Sequence, residues 1–349
     1  MLRKTSTTTL RAWFLALCGI LAFEVLLPAQ DTHFSQFYNT PLYVNPALTA
    51  VDKADIRFMG AYRGQWEQAL FDPYTTFFGM FDTKFYPKYN DRYFWGLGVS
   101  FLYDVAGQSS LGLLGADVNA SFTYALDKEN FVTIGFGGGG AQRSFQLDNL
   151  SFGEQHNGEQ YDPNLPTGEN FTSLANFFGS LGGGLNYHGQ KTGKRTYLDV
   201  GAAAFHINRP NQAFYSADES ALPMRLSLYM RPMLQLSEQV DLPLHGLAQF
   251  QGPYFEAVAG AGIRVYLNLV PSREIAVELG GSYRFNSIGD AIIPHLQILY
   301  HQWQVGLSYD INVSDFSVAT LYRGGPELTV RYAITKVKPL DRVRLCRLY

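Results

Sequence analysis

Apolar side chains alternate with polar or glycine residues along most of the chain from about residue 53 onward. Successive side chains of a β-strand point to opposite faces, so a period of two predicts strands. Between residues 93 and 103, for example, one face carries Tyr93, Trp95, Leu97, Val99, Phe101 and Tyr103. The pattern predicts about fourteen strands, near 53–62, 72–85, 92–103, 113–126, 130–145, 172–188, 195–207, 222–235, 239–250, 254–266, 273–286, 291–300, 302–310 and 326–335.

The alternation alone fits a soluble sandwich as well as a membrane barrel, and three features favour the barrel. The segments are about 9–13 residues long, which suits a tilted membrane span better than the usual 5–6 residues of soluble strands. Aromatic residues gather at both ends of the apolar face, and the opposite face is rich in residues suited to a polar lumen. The sequence therefore predicts an all-β fold, a transmembrane antiparallel β-barrel of about 14 strands spanning 53–335.

Composition indicates a large β-rich protein and does not by itself distinguish a soluble one from a lipid-embedded one. Aromatic residues make up 15% of the chain and charged residues only 16%, against about 25% charged residues in a typical soluble domain. The net charge of −3 argues against a nucleic-acid partner. Outer-membrane lipid is the expected surrounding.

The connections between the predicted strands differ in length. Those after odd-numbered strands are mostly long, at 63–71, 104–112, 146–171, 208–221 and 311–325, whereas those after even-numbered strands are mostly short. Outer-membrane barrels have long extracellular loops and short periplasmic turns. We therefore expect a multi-pass protein of the cell outer membrane with both termini periplasmic.

The N-terminus has the pattern of a secretory signal peptide. Arg3, Lys4 and Arg11 precede an apolar stretch, and a small residue, Ala29, stands at the expected cleavage position. Residues 1–29 are predicted to be removed. The remaining chain divides into an N-terminal plug or docking segment (30–52), the barrel (53–335) and a basic C-terminal tail (336–349).

No motif in the chain indicates catalysis or cofactor binding. The run GFGGGG at 135–140 contains G-x-G-x-x-G, but no helix is predicted after it, so it indicates a kink or a close approach in a barrel strand. The seven histidines lack metal-ligand spacing, and no nucleophile has an evident base. We expect no enzyme activity, no metal and no cofactor.

Several short motifs resemble the PorP/SprF family of outer-membrane proteins of the type IX secretion system of Bacteroidetes. They are QDTHFSQFYNTPLYVNPA at 30–47, YRGQW at 62–66, LSFGEQ at 150–155, AFHINRPN at 204–211, YDINVS at 309–314 and GGPEL at 324–328. Thr49-Ala50 and Pro326 depart from the family pattern, which affects loop detail only. The resemblance implies a non-enzymatic part of the secretion and gliding machinery.

The resemblance also implies the partners, which are a secreted type IX cargo or adhesin and periplasmic ring or peptidoglycan-linked components of the secretion machinery. The alternative is a FadL-like outer-membrane diffusion channel for small or hydrophobic solutes, since that group also has 14 strands and an N-terminal hatch. Conductance is expected of a channel, and co-purification with a secreted protein is expected of a secretion partner.

Two groups of residues are candidates for the functional site. The N-terminal motif is expected either to plug the lumen or to form a periplasmic docking surface, because its prolines exclude a long helix and its apolar side chains need cover. The second group is expected at the extracellular rim, either bracing the loops, with Arg209 paired to Asp310, or forming a cargo surface. The first group comprises Phe34, Gln36, Phe37, Tyr38, Pro41, Asn45 and Pro46, and the second Gln65, Trp66, His206, Asn208, Arg209, Pro210, Asp310 and Asn312.

Overall fold

Fourteen antiparallel strands close into a barrel in the computed structural model of the chain. Each strand pairs with the next along the chain, and the last pairs with the first, so the sheet has no free edge. The predicted all-β barrel is therefore confirmed. The strands are β1 (Ile56–Gln65), β2 (Tyr74–Phe85), β3 (Tyr93–Ala106), β4 (Leu111–Ala125), β5 (Asn130–Ser144), β6 (Ala175–Gln190), β7 (Tyr197–Phe205), β8 (Arg225–Gln235), β9 (Val240–Gln251), β10 (Tyr254–Asn268), β11 (Ile275–Asn286), β12 (Ala291–Tyr300), β13 (Trp303–Asn312) and β14 (Arg323–Ile334).

The structure describes residues 31–65, 73–87, 92–147, 150–156, 158, 160–162, 164–169, 173–214, 220–270, 273–286, 291–314 and 323–335. The predicted signal peptide, the basic tail and Trp66 lie outside the described residues. Within these ranges no helix is both long and apolar enough to cross a membrane.

The two faces of the barrel wall have opposite chemistry. Large apolar side chains such as Phe101, Phe136 and Leu279 point outward and are 58–63% exposed. Charged side chains point inward and are buried, and some pair between neighbouring strands, as Arg57 does with Asp82. A soluble sandwich would bury its apolar face instead. The outer surface is therefore the surface of a membrane-embedded barrel.

The two ends of the barrel differ in their connections. The end where β1 finishes and β14 begins, here the loop end, carries the connections 145–174, 206–224 and 313–322. The opposite end, the turn end, carries short connections such as 126–129, 236–239 and 301–302. The long loop expected at 104–112 is wrong, because β3 and β4 run on to a four-residue turn at 107–110. Gly107 and Ser110 close this turn with positive φ angles of 65° and 46°.

Candidate functional site

Residues 31–52, the N-terminal segment, lie inside the barrel and run from the loop end to the turn end. At the loop end, Asp31 Oδ2 lies 2.7 Å from His206 Nε2 and 3.3 Å from Arg225 Nη1. At the turn end, Arg331 donates hydrogen bonds to both carboxylate oxygens of Asp52. The described chain thus begins at the loop end and finishes, at residue 335, at the turn end.

Two prolines divide the segment into short turns. Pro41 begins the four-residue helix α1 (Pro41–Val44), and Pro46 begins a 3₁₀ turn (Pro46–Leu48), which follows an earlier 3₁₀ turn (Phe37–Asn39). Proline lacks an N–H group and suits the first position of a helix. The Asn45 side chain accepts a hydrogen bond from the Ala47 N–H at 2.8 Å, which caps the last turn. The segment is therefore a compact series of turns that fits within a lumen.

Phe34 and Phe37 hold the segment against different parts of the wall. The Phe34 side chain packs on β1 and β2, whereas Phe37 packs on β8, β9 and β10, and the two residues are only 3% and 2% exposed. The Tyr38 ring lies 4.7 Å from the His245 ring of β9. The wall residues of the two buried clusters are Met59, Ala61, Phe78 and Met80 for Phe34, and Tyr229, Leu247 and Val258 for Phe37.

Backbone and side-chain hydrogen bonds fix the segment between these aromatic contacts. The N–H groups of Ser35 and Gln36 each donate to a carboxylate oxygen of Glu327 at 2.7 Å. The Gln36 amide donates to Ser308 Oγ at 3.1 Å. A Cβ atom on Gly306 would lie 2.3 Å from Gln36 Oε1, so the glycine makes room for this side chain. The buried amide is thus matched to its part of the wall.

A buried ionic cluster surrounds this contact. Arg63 and Arg284 each donate to Asp310 Oδ2 at 2.7 Å, and Arg63 also reaches Glu327 at 3.1 Å. Ser35 Oγ donates to the other oxygen of Asp310 at 2.7 Å. Buried charges need both opposite charges and hydrogen bonds. The segment therefore supplies part of the polar surrounding that these wall charges need.

His33 lies beside the same cluster and carries its proton on Nδ1. Its Nε2 atom lies 3.1 Å from Arg63 Nη2, and an arginine can only donate. Its Nδ1 atom faces Glu256 at 3.5 Å. Burial, reinforced by the charges of Arg284 and Arg63, holds the pKa of His33 well below its usual range. The histidine is therefore neutral when the segment is in place.

The Asn-Pro-Ala turn at 45–47 lies directly on glycines of the wall. The Asn45 amide donates to the Leu185 carbonyl of β6 at 2.9 Å. A Cβ atom on Gly135 would lie 2.3 Å from Ala47 N, and one on Gly184 would lie 2.1 Å from Asn45 Oδ1. The prediction that the glycine-rich strands permit a close approach is confirmed, and the N-terminal segment is what approaches.

At the turn end the segment is held by a second set of charges. Ala50 N–H donates to Asp82 Oδ2 at 2.8 Å, and Arg57 donates to the same carboxylate and to the Leu48 carbonyl. Burial opposes ionisation of Asp52, but the charges of Arg331 and Arg57 outweigh it and hold its pKa below its usual range. Both ends of the segment are thus bound by buried ion pairs or charged hydrogen bonds.

The described residues of the group predicted at the rim lie at the loop end, and three of them contact the N-terminal segment. Gln65 Nε2 lies 3.4 Å from His33 Nε2, His206 contacts Asp31, and Asp310 contacts Ser35. The remaining described members of the group lie elsewhere on this end: Asn208 is exposed and bonds to the backbone of residues 179 and 181, whereas Pro210 and Asn312 are buried.

The expected pair between Arg209 and Asp310 is wrong. Arg209 is exposed and follows His206 in a turn where both residues have positive φ angles, 44° and 54° respectively. Asp310 instead points into the lumen, where Arg63 and Arg284 bind it. The alternation of β13 gives the reason, since Asp310 follows the outward-facing Tyr309 and must face inward.

A comparison with protein-family models identifies the chain. Residues 27–332 match the family described as type IX secretion system membrane protein PorP/SprF. The chain belongs to the PorP/SprF family. Together with the lipid-facing outer surface, this membership makes it an outer-membrane β-barrel of the type IX secretion system. A comparison with curated proteins gives no match.

Several solved barrels share the overall shape of this PorP/SprF member at low sequence identity. The Ralstonia pickettii toluene transporter TbuX has a TM-score of 0.44 and 10% identity over 85% of this chain and 94% of its own. The P. putida toluene transporter TodX gives 0.44 and 12% over 86% and 95%, and the CymD monoaromatic hydrocarbon channel gives 0.47 and 11% over 88% and 95%. Likeness at this level says nothing about what this chain binds.

Sequence reasoning missed the wall residues that bind the N-terminal segment. Of these, Arg63 and Glu327 belong to the family-like motifs at 62–66 and 324–328, whereas no motif includes Arg284, Asp82 or Arg57. The sequence feature that could have identified these residues is a charged residue at an inward position of a strand. Such a charge cannot face lipid, so it needs a partner in the lumen. Among the described residues, no group of three or more His, Cys, Asp or Glu side chains is placed to hold a metal ion.

Proposed function

We propose that this PorP/SprF member is a non-enzymatic docking barrel of the type IX secretion and gliding machinery. In this proposal the loop end faces the cell exterior and binds a secreted adhesin-type cargo, and the turn end faces a periplasmic partner of the machinery. The N-terminal segment acts as a plug. The family match supports the role in secretion, and the observation that carries docking rather than transport is the course of residues 31–52 through the lumen from one end to the other.

The contacts of the segment support a permanent plug. It binds wall residues of β1, β2, β6, β8, β9, β10, β13 and β14, so its contacts are spread around the circumference. Its removal would break the hydrogen bonds that Ser35 and Gln36 donate to Glu327 and Asp310, and a hydrogen bond to a charged group contributes about 1.5–3 kcal/mol. Such a segment is not a gate that small solutes open easily.

The loop end offers exposed groups for a protein partner. Ile207, Asn208 and Arg209 are exposed on the turn that follows β7, and Arg209 has no ion pair among the described residues. An exposed apolar side chain beside an unpaired guanidinium is typical of a protein contact, since arginine is enriched at interfaces. The turn end carries exposed polar residues, including Glu238 between β8 and β9.

Site-specific photocrosslinking tests the proposal and the assignment of the two ends. p-Benzoylphenylalanine replaces Arg209 at the loop end, Glu238 at the turn end, or Phe77 on the outward face as a control, and adducts from native cells are identified by mass spectrometry. We expect a secreted protein at position 209, a periplasmic component at position 238, and neither at position 77. The same proteins at both ends, or no protein at either, would contradict the proposal.

The alternative is a diffusion channel for small or hydrophobic solutes. A channel needs a continuous path, which here requires the N-terminal segment to leave its contacts or solutes to pass beside it. Liposome swelling with the purified barrel distinguishes the two: a docking barrel leaves small solutes outside, whereas a channel admits them at a rate that depends on solute size.

A further inference from the structure

A cavity separates the N-terminal segment from the inner wall in the loop half of the barrel. It holds about 840 Å³ of empty space, part of which is open to solvent. The wall here is formed mainly by β4, β5 and β6, and its inward positions include Gly115, Gly137, Gly139 and Gly182. Gly115 leaves room at its Cβ position, whereas the side chains of Asn119 and Asp117 lie over Gly137 and Gly139.

Most of the cavity lining is apolar. The segment contributes Leu42 and Tyr43, which are held in place by the packing of Phe34. The wall contributes apolar side chains from five strands and one loop, namely Phe78, Leu102, Leu113, Phe178, Phe205 and Leu222. A ligand that fills this space must therefore have an apolar body.

Three side chains lining the cavity have hydrogen-bond donors without acceptors, and one of them, Arg225, already has an ion pair with Asp31. Arg143, the second-last residue of β5 at the loop end, has a buried Nε without a partner and no ion pair among the described residues. Asn119 is buried, and its Nδ2 also lacks an acceptor. Buried donors without acceptors are rare and unfavourable. Acceptor oxygens on a ligand would satisfy them, and a guanidinium favours a carboxylate.

The inner part of the cavity carries the opposite charge. Asp117 lines the cavity and lies over Gly139, since a Cβ atom there would be 2.5 Å from Asp117 Oδ1. Leu113 is the partner of Arg143 in the sheet, so Asp117 lies four residues further along β4, which is about 13 Å at the rise of a strand. Asp31, which also lines the cavity at the loop end, is paired with Arg225, whereas Asp117 has no ion pair among the described residues and repels an anionic group at its depth. A ligand can therefore be anionic at one end only.

We propose that this cavity binds an amphipathic monocarboxylate, with its carboxylate on Arg143 near the loop end and its apolar body between the segment and the glycine wall. The site is separate from the exposed turn at 207–209 and does not depend on the role in secretion. Its occupant would contact Leu42 and Tyr43 and so would also stabilise the N-terminal segment in place.

Isothermal titration of the barrel in lipid nanodiscs, with empty nanodiscs subtracted, tests the proposal. Octanoate, 1-octanol and suberate share an eight-carbon chain and carry one, no and two carboxylates. We expect saturable binding of octanoate and binding weaker by about tenfold or more for the other two ligands. 1-Octanol lacks the carboxylate that would bind the guanidinium, and the second carboxylate of suberate would be repelled at the inner end of the cavity.

Three variants locate the binding. Arg143→Gln should lower the affinity for octanoate to that for 1-octanol. Gly115→Leu should remove binding of both, because a Cβ at Gly115 meets only ordinary contacts, at 3.7 Å or beyond, and the rest of the side chain enters the cavity. Gly79→Leu is the matched control, since Gly79 faces outward on β2 with nothing within 4 Å of its Cβ position.

Each result decides for or against the site. Absence of saturable octanoate binding, equal affinity for octanoate and 1-octanol, or unchanged octanoate binding in folded Gly115→Leu would overturn the proposal. If Gly115→Leu does not fold, the ligand series and Arg143→Gln still decide. Failure of these titrations would leave the crosslinking test of the docking role unaffected.

Discussion

Truncation of Phe37 to alanine should release the N-terminal segment from the lumen without opening the barrel. The Phe37 side chain is 2% exposed, packs on β8, β9 and β10, and makes no contribution to strand pairing. Removal of a buried phenylalanine side chain costs about 3–5 kcal/mol. If the whole of this free energy is lost from the docking of the segment, the undocked population rises roughly 140-fold to 3,700-fold, at about 1.4 kcal/mol for each factor of ten.

Cysteine labelling measures that population. Thr40→Cys is a suitable reporter in a Cys346→Ser background, since Thr40 is 0% exposed and its hydroxyl bonds only within the segment, to the Phe37 carbonyl. The maleimide labelling rate of this cysteine should rise by the factor above in Phe37→Ala, while the barrel keeps its heat-modifiable migration on gels.

The matched control is Phe77→Ala, because Phe77 is 48% exposed on the outward face of β2. It should leave the labelling rate within about threefold of the parent, as surface changes are within about 0.5 kcal/mol. Equal labelling of the Phe37→Ala variant and the parent, or loss of the folded barrel together with the segment, would refute the view that the segment docks as a separate unit on a stable barrel.

Three further predictions use the same cysteine reporter at position 40. Gly135→Ala should raise the labelling rate at position 40 about fivefold to a hundredfold, since overpacking costs about 1–3 kcal/mol and the new Cβ would lie 2.3 Å from the segment backbone. Gly140→Ala, on the outward face of the same strand, should leave the rate unchanged. Glu327→Gln should raise the labelling rate and lower the unfolding temperature of the barrel, because removal of one partner of a buried charge pair costs about 3–5 kcal/mol. An unchanged melting curve would contradict a stabilising role for the ionic cluster. The pKa of His33 is lowered in the docked segment, so below about pH 6.5 the undocked segment binds a proton that the docked segment does not. Docking is therefore strongest above about pH 6.5 and weakens as the pH falls below that value. The labelling rate at position 40, normalised to that of the denatured chain, should rise on acidification, and His33→Gln should flatten that rise.

The barrel could be predicted from the sequence because its determinants are local. Alternation along each strand fixes which side chains face lipid, and the fourteen strands follow from it. Connection lengths were less predictable, as 107–110 shows, since the polar Asp104 and the glycines near it hid the continuation of β3 and β4. A strand that projects past the membrane loses its apolar alternation, and its end then resembles a loop.

The interior could be predicted only in part because its contacts join distant parts of the chain. Phe34 and Phe37 stand out as apolar residues in a segment without strand period. Their sites on the wall do not stand out, since Gln36 and Glu327 are 291 residues apart. The same distance explains the error with Arg209, as nothing local shows that Asp310 already has Arg63 and Arg284 as partners.

We propose that this PorP/SprF barrel is closed by its own N-terminal segment and serves as a docking protein, not as a pore. The conductance of the purified wild-type protein in planar bilayers distinguishes the two, with labelling at position 40 as the measure that the segment is in place. We expect no steady current while the segment is protected. A stable, solute-selective current through protein whose segment remains protected would contradict it.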